Sequence, residues 1–213
     1  MQLINFKMKK IIGFLLIAAS LSACSEPPRL PIFGKEVVKT DTGYDTIINT
    51  VANFEFIDQK GEVVNNATFQ DKIFVTDFFF TSCPSICPVM TKQMLRIHDA
   101  YMNNPAVALL SHTIDPVRDS IQKLDAYAAK IDITSNEKWH FVTGKKEDLF
   151  AMAEDYMIVA FEDDEVPGGF EHSGFFILID KEQRVRGYYD GTSEADVTQL
   201  ISDIEILLDE YEN

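Results

Sequence analysis

The chain has 213 residues, with 34 acidic against 19 basic side chains, 46% hydrophobic and 11% aromatic content, and three cysteines. It is long enough for one packed domain, too apolar to be disordered, and too poor in cysteine for a disulfide scaffold. A net charge of −15, with no run of Lys and Arg outside the extreme N-terminus, excludes a phosphate-reading nucleic-acid binder and favours cations or basic protein surfaces as partners.

In chain order the N-terminus comes first. Lys7, Lys9 and Lys10 precede residue 24 and no Asp or Glu does, so the remainder holds 16 basic and 34 acidic side chains, a net charge of −18. Lys9-Lys10 followed by the apolar stretch Ile11 to Ala19 has the layout of a secretory signal and is short of the roughly 20 residues a spanning helix needs. Leu21-Ser22-Ala23-Cys24 then resembles a bacterial lipobox, in which the cysteine is lipidated and becomes the first residue. The expected organisation is a lipoprotein signal peptide over 1–23, the lipidated Cys24 and a spacer over 24–50, and one domain over 51–213. Ser25 to Pro31 forms an extended tether. The domain is expected in the cell envelope, on the periplasmic or extracytoplasmic side of a membrane. There a cysteine pair oxidises unless something reduces it or a metal holds it.

Asn53 to Ile57 alternates, turns at Asp58 to Gly61 and returns through Glu62 to Val64, an N-terminal hairpin. Ile73 to Phe80 is nearly continuous in apolar, β-prone residues, broken by Thr76 and Asp77, as in a strand buried on both faces. After Thr81-Ser82-Cys83-Pro84-Ser85-Ile86-Cys87-Pro88, helical spacing links Val89, Met90, Met94, Leu95, Ile97 and Tyr101. Val107 to Ile114 reads as a strand and Arg118 to Ile131 as a helix. Trp139 to Val142 and Glu147 to Tyr156 repeat that alternation. An acidic loop, Glu162 to Glu165, leads to Glu171-His172, then strands Phe175 to Asp180 and Val185 to Tyr189, and a helix from Ser193 through Leu208. Periodicity alone gives an α/β sandwich. The order β-α-β-α-β-α-β-β-α, with two cysteines between a core strand and the next helix, resembles the thioredoxin-like fold, a central mixed sheet flanked by helices.

Cys83 and Cys87 each precede a proline, which biases both toward extended backbone and keeps the helix from running back through the motif. Pro88 at the first helical position makes Cys87 the N-cap residue, where the helix dipole is expected to lower the thiol pKa. Three intervening residues allow a redox disulfide between Cys83 and Cys87 or let two sulfurs converge on a metal. Structural zinc wants four ligands, whereas two thiolates with one imidazole suit copper, as Cu(I) or Cu(II). His172, just before the strand that faces the cysteine loop in the thioredoxin-like order, is the candidate imidazole. His98, His112 and His140 are read as packing or surface, with His112 nearest to a site because it ends a core strand. Met90 is read as core, the loop Glu162 to Glu165 as solvated, and Asp115, Arg118 and Asp119 as a turn with an ion pair.

Taken together, these blocks resemble the Sco/SenC family of copper-binding proteins that assist cytochrome c oxidase assembly. Cys83 to Pro88 matches its Cys-x-x-x-Cys-Pro loop, Asp115 to Asp119 its Asp-Pro-x-Arg-Asp segment, Trp139 to Gly144 a third block, and His172 with the hairpin after it a fourth. The resemblance implies Cys83, Cys87 and His172 as copper ligands, and as partners the copper-site subunit of a respiratory oxidase and other copper carriers. Glu171 stands where the family often has Asp. The resemblance also admits a thiol-disulfide oxidoreductase using Cys83 and Cys87 to reduce thiols of the oxidase copper site. A peroxidase and a binding module without chemistry are weaker rivals, the first because a second cysteine follows so closely.

Overall fold

The computed structural model describes residues 28–162 and 169–212, without the side chains of Glu162, Glu171 and His172. The signal segment, Cys24 and the acidic stretch beyond Glu162 lie outside the described residues.

A seven-stranded mixed sheet forms the centre. Its core is β5 (Ile73–Phe79), β6 (Val107–Thr113) and β7 (Trp139–Thr143), paired in parallel. Every residue of β5 and β6 is buried, as a parallel sheet covered on both faces requires. On one side β10 (Phe175–Ile179) pairs antiparallel with β5 and with β11 (Val185–Asp190). On the other, β3 (Glu55–Asp58) pairs antiparallel with β7 and with β4 (Val63–Asn65). The β3–β4 turn closes as expected: Gly61 takes φ +81°, and the Asp58 carboxylate accepts from the Lys60 and Glu62 amides.

Helices α1 (Cys87–Tyr101) and α2 (Ile121–Lys130) make the crossovers from β5 to β6 and from β6 to β7. Right-handed crossovers advancing in one direction put both on one face of the sheet. There Phe79 packs on Tyr127 at 5.3 Å between ring centroids, and the Tyr127 hydroxyl hydrogen-bonds Thr91 at 2.6 Å. Helix α3 (Lys146–Asp155) leads to Tyr156, whose ring lies against Phe78 and His112 on the opposite face. Helix α4 (Glu194–Glu212) lies against α1, where the Tyr101 hydroxyl donates to the Ile201 carbonyl at 2.8 Å.

Four departures from the sequence reading have local causes. Helix α2 starts at Ile121, because Asp115 to Asp119 closes a turn in which the Arg118 and Asp119 amides donate to the Asp115 carbonyl; Ser120 then caps the helix. Helix α4 runs past Leu208 to Glu212, on a face that buries Leu200, Ile204 and Leu207. A separate pair, β8 (Ala160–Glu162) and β9 (Phe170–His172), occupies ground read as loop. The stretch read as spacer holds another two-stranded sheet, β1 (Lys35–Thr40) and β2 (Gly43–Ile48).

The chain ahead of β1 is also fixed to the domain. The buried Arg186 guanidinium donates to the Leu30 and Pro31 carbonyls and pairs with Asp180 at 3.0 Å and Glu210 at 2.7 Å. An unpaired buried charge costs about 3–5 kcal/mol, so these acceptors hold one another in place.

Candidate metal centre

The cysteine loop leaves β5 through Phe80, and its entry is set by one buried carboxylate. Asp119 accepts from the Thr81 amide at 3.0 Å, the Thr81 hydroxyl at 2.5 Å and the Thr113 hydroxyl at 2.6 Å. It therefore ties the loop to the end of β6. The Cys83 amide then donates to the Phe80 carbonyl at 3.2 Å, closing a tight turn that leaves Cys83 half-buried with its sulfur 3.6 Å from the Ser85 hydroxyl.

Cys87 is buried at the first residue of α1, and no disulfide joins it to Cys83. Ile86 is the N-cap, in helical geometry and without a side-chain cap, and Pro88 is at the second helical position. The sequence reading is one residue out here: Pro88 lacks only an amide that the helix start leaves without an intrahelical partner, so it fits the second position as well as the first. The expected lowering of the Cys87 pKa is also reversed. A hydrogen bond with Cys83 and burial push the thiol well above its ordinary value, with Asp77 adding to the effect, while a backbone hydrogen bond from Phe80 opposes it. The helix terminus does not outweigh a buried sulfur sharing a proton with its neighbour. The two sulfurs thus sit together at the end of the central strand, with the Cys87 thiol held protonated.

Two residues under the loop were not singled out from sequence. Asp77 is buried in β5 and accepts from Ser111 at 2.5 Å, and Ser111 in turn accepts from the Trp139 indole at 2.9 Å. A buried polar group left unpaired costs about 1–3 kcal/mol, so this chain keeps a carboxylate near the sulfurs. Its signal was a charge inside an otherwise apolar strand. Tyr127, read as helix core, lies near Cys87, Cys83 and Asp77, and burial pushes its hydroxyl up to about 12.

His172 ends β9, with its backbone opposite Ala160. Its side chain lies outside what is described, as do those of Glu171 and Glu162, but the backbone around it docks on the cysteine loop. Phe170 is buried, 5.4 Å from the Phe80 ring, with the Arg118 guanidinium 5.8 Å from its own ring centre. Arg118 is held by Asp115 at 2.6 Å. Two residues past His172, Gly174 lies so close to α1 that an added methyl would sit 3.3 Å from Ile86 Cδ1 and 3.7 Å from Met90 Sδ. The β9–β10 connection therefore crosses the start of α1 one residue before Cys87.

The other histidines stand apart from the sulfurs. His112 is fully buried, stacked on Phe78 at 4.8 Å with Phe56 edge-on; neither ring nitrogen has a hydrogen-bond partner among the described residues, and burial pushes its pKa down to about 3. His140 is bonded to Asp58 at 3.1 Å, and burial holds it below the usual histidine range. His98 meets Asp99 at 3.1 Å. Met90 is core. Among the described residues, no group of three or more His, Cys, Asp or Glu is placed to hold a metal.

These features define a thioredoxin-like domain with a two-thiol site at the end of its central strand. The chain belongs to the SCO1/SenC family, whose model matches residues 44–209. The SCO2-like protein RT0576 of Rickettsia typhi is 30% identical over 199 residues, 90% of this chain and 91% of that protein. A SCO1/SenC family lipoprotein from Bacillus anthracis superposes with a TM-score of 0.68 at 29% identity, covering 75% of this chain and 95% of its own. BsSco, a member of the Sco family of cytochrome c oxidase assembly proteins in which a disulfide switch was identified, gives 0.65 at 26%, with 75% and 93% covered. Arabidopsis thaliana ScoI with copper bound has the same fold, with a TM-score of 0.64 at 23% identity, covering 76% and 99%.

Proposed function

We propose that the protein is an extracytoplasmic copper carrier that binds one copper ion through Cys83, Cys87 and His172 and serves the maturation of the copper centre of cytochrome c oxidase. The observation that carries this reading is the hydrogen-bonded pair of thiols at the start of α1, with the backbone of the His172 strand docked across the same loop. Two sulfurs and an imidazole are a soft donor set that suits Cu(I) and tolerates Cu(II). A copper-bound relative of the same fold and an oxidase-assembly relative at 26% identity support it.

The proposal includes the anchor. Residues 1–23 act as signal peptide, Cys24 carries the lipid, and the domain faces the periplasm or its equivalent; a lipoprotein among the family's structures supports this. Asp119 positions the loop, and Phe170 and Gly174 bring the His172 strand onto it. Because the Cys87 thiol is held protonated before loading, copper uptake releases its proton, so apparent affinity rises with pH.

The adjacent thiols also support a second chemistry, favoured by the disulfide switch of BsSco. Cys83 and Cys87 together give up two electrons and two protons to a partner disulfide, closing their own S–S bond while the partner becomes two thiols. Complementation of a deletion strain with His172→Ala separates the two. The carrier reading expects loss of oxidase activity with thiol chemistry retained; full rescue would favour the reductase.

A further inference from the structure

The β1–β2 hairpin forms its own two-stranded sheet, exposed on both faces apart from the half-buried Val38. Strand alternation and the cross-strand register sort its side chains into two unlike sets. Lys35, Val37 and Lys39 share a face with Ile48, Thr46 and Tyr44, whereas Glu36 and Val38 share the other with Ile47 and Asp45. The first face thus carries two lysines, no carboxylate, and the exposed apolar side chains Val37, Tyr44 and Ile48, with Tyr44 78% exposed. In a chain of net charge −15 that face has the opposite sign to the protein bearing it. Solvation accounts for the lysines, but not for three large apolar groups placed beside them.

Its position says what covers it. Arg186 grips the Leu30 and Pro31 carbonyls, so the chain is fixed to the domain only a few residues before the hairpin begins at Lys35. Cys24 lies six residues ahead of Leu30, within about 20 Å of it even when the intervening chain is fully extended. A lipid on Cys24 would hold the hairpin close to the bilayer.

We propose that the Lys35, Val37, Lys39, Tyr44, Thr46, Ile48 face docks on the anionic lipid surface of the membrane that holds Cys24, fixing the domain's orientation there. The proposal rests on the lipid-anchor reading above. Lysines place their ammonium groups among anionic headgroups, and tyrosine favours the interfacial layer. Each lysine near such a surface strengthens association about fivefold. This is weak for a protein in solution, but it suffices for one already tethered at high local concentration. The same surface repels the acidic remainder of the domain, so the hairpin face turns inward and the rest outward.

The test uses the full chain, processed and purified from a bacterial host and reconstituted in vesicles of phosphatidylcholine with 30% phosphatidylglycerol, or of phosphatidylcholine alone. Amide hydrogen exchange of residues 35–48 is the readout, and intact mass reads the lipid on Cys24 separately. The expected result is exchange at least threefold slower on the anionic vesicles, lost in Lys35→Glu with Lys39→Glu and kept in Glu36→Gln with Asp45→Asn. Equal exchange on both vesicles, or equal loss from changes on either face, overturns the proposal while leaving the anchor standing. An unmodified Cys24 overturns both.

Discussion

Strands β5 and β6 present two chemically unlike faces, and neighbouring residues fall on opposite ones. Asp77, Ser111 and Thr113 lie on the face covered by α1 and α2, where each has a hydrogen-bond partner, and Thr113 reaches Asp119 and so the cysteine loop. Phe78 and His112, one residue along, lie on the other face, where rings close over a histidine that has no polar partner among the described residues. A titratable group is driven to its neutral form on each face: Cys87 upward, by its hydrogen bond with Cys83 and by burial, and His112 downward, by burial. The sulfur shares its proton with a second thiol and feels the nearby Asp77 carboxylate, whereas the imidazole only fills space. Burial and a shifted pKa do not by themselves mark a site; connection to a second reactive group does.

The comparison breaks most visibly at the sulfurs. Cys83→Ala or Cys87→Ala is expected to weaken copper binding by more than about 100-fold, above the range that outer-sphere changes produce, while His112→Phe leaves it unchanged; competition titration against a chelator of known affinity measures both. Asp119→Ala strands two hydroxyls and an amide at the loop entry, at a cost of about 3 kcal/mol in urea unfolding, with about a tenfold loss of copper affinity.

On the aromatic face the effect is one of acid stability. His112 is neutral when folded, with its pKa pushed down to about 3, but it takes up a proton near pH 6.5 once unfolded. The unfolded state therefore binds more protons below pH 6.5, and stability falls with pH across that window. Between pH 6.5 and 4 the loss is on the order of 3 kcal/mol, and His112→Phe is expected to remove it. An unchanged acid slope would show that the ring is not held neutral.

The smallest effect runs the other way on the cysteine face. The Cys87 thiol is held above its ordinary pKa, so the unfolded chain loses that proton first as pH rises. Stability of the copper-free protein is expected to fall above about pH 8.5, by at most ~1.4 kcal/mol per pH unit. Cys87→Ser flattens that limb in thermal melts between pH 7 and 10.

Much of this was legible in the sequence because it is written in local patterns. The apolar run Ile73 to Phe80 gave β5, the Cys-x-x-x-Cys-Pro loop gave the sulfurs, and the Asp115-Pro116 segment gave a turn with an Arg118 ion pair. Other features depend on contacts between distant segments. Asp119 caps a loop 38 residues away in sequence, and β8–β9 is a short pair made by register more than by apolar periodicity. The Cys87 pKa was expected to fall because sequence shows the helix start but not the hydrogen bond that Cys87 makes with Cys83 or the depth of burial. The β1–β2 hairpin was missed because neither Lys35 to Thr40 nor Gly43 to Ile48 alternates apolar with polar residues, and its exposed surface has no buried face to mark the strands.

The central claim, that Cys83, Cys87 and His172 together hold copper, is tested most directly by X-ray absorption at the copper edge. That measurement counts sulfur and nitrogen neighbours in either oxidation state. The expected result for the loaded wild type is two sulfurs and one imidazole nitrogen, with the nitrogen lost in His172→Ala and the sulfurs kept. A copper site without sulfur, or an imidazole signal that survives His172→Ala, would contradict it.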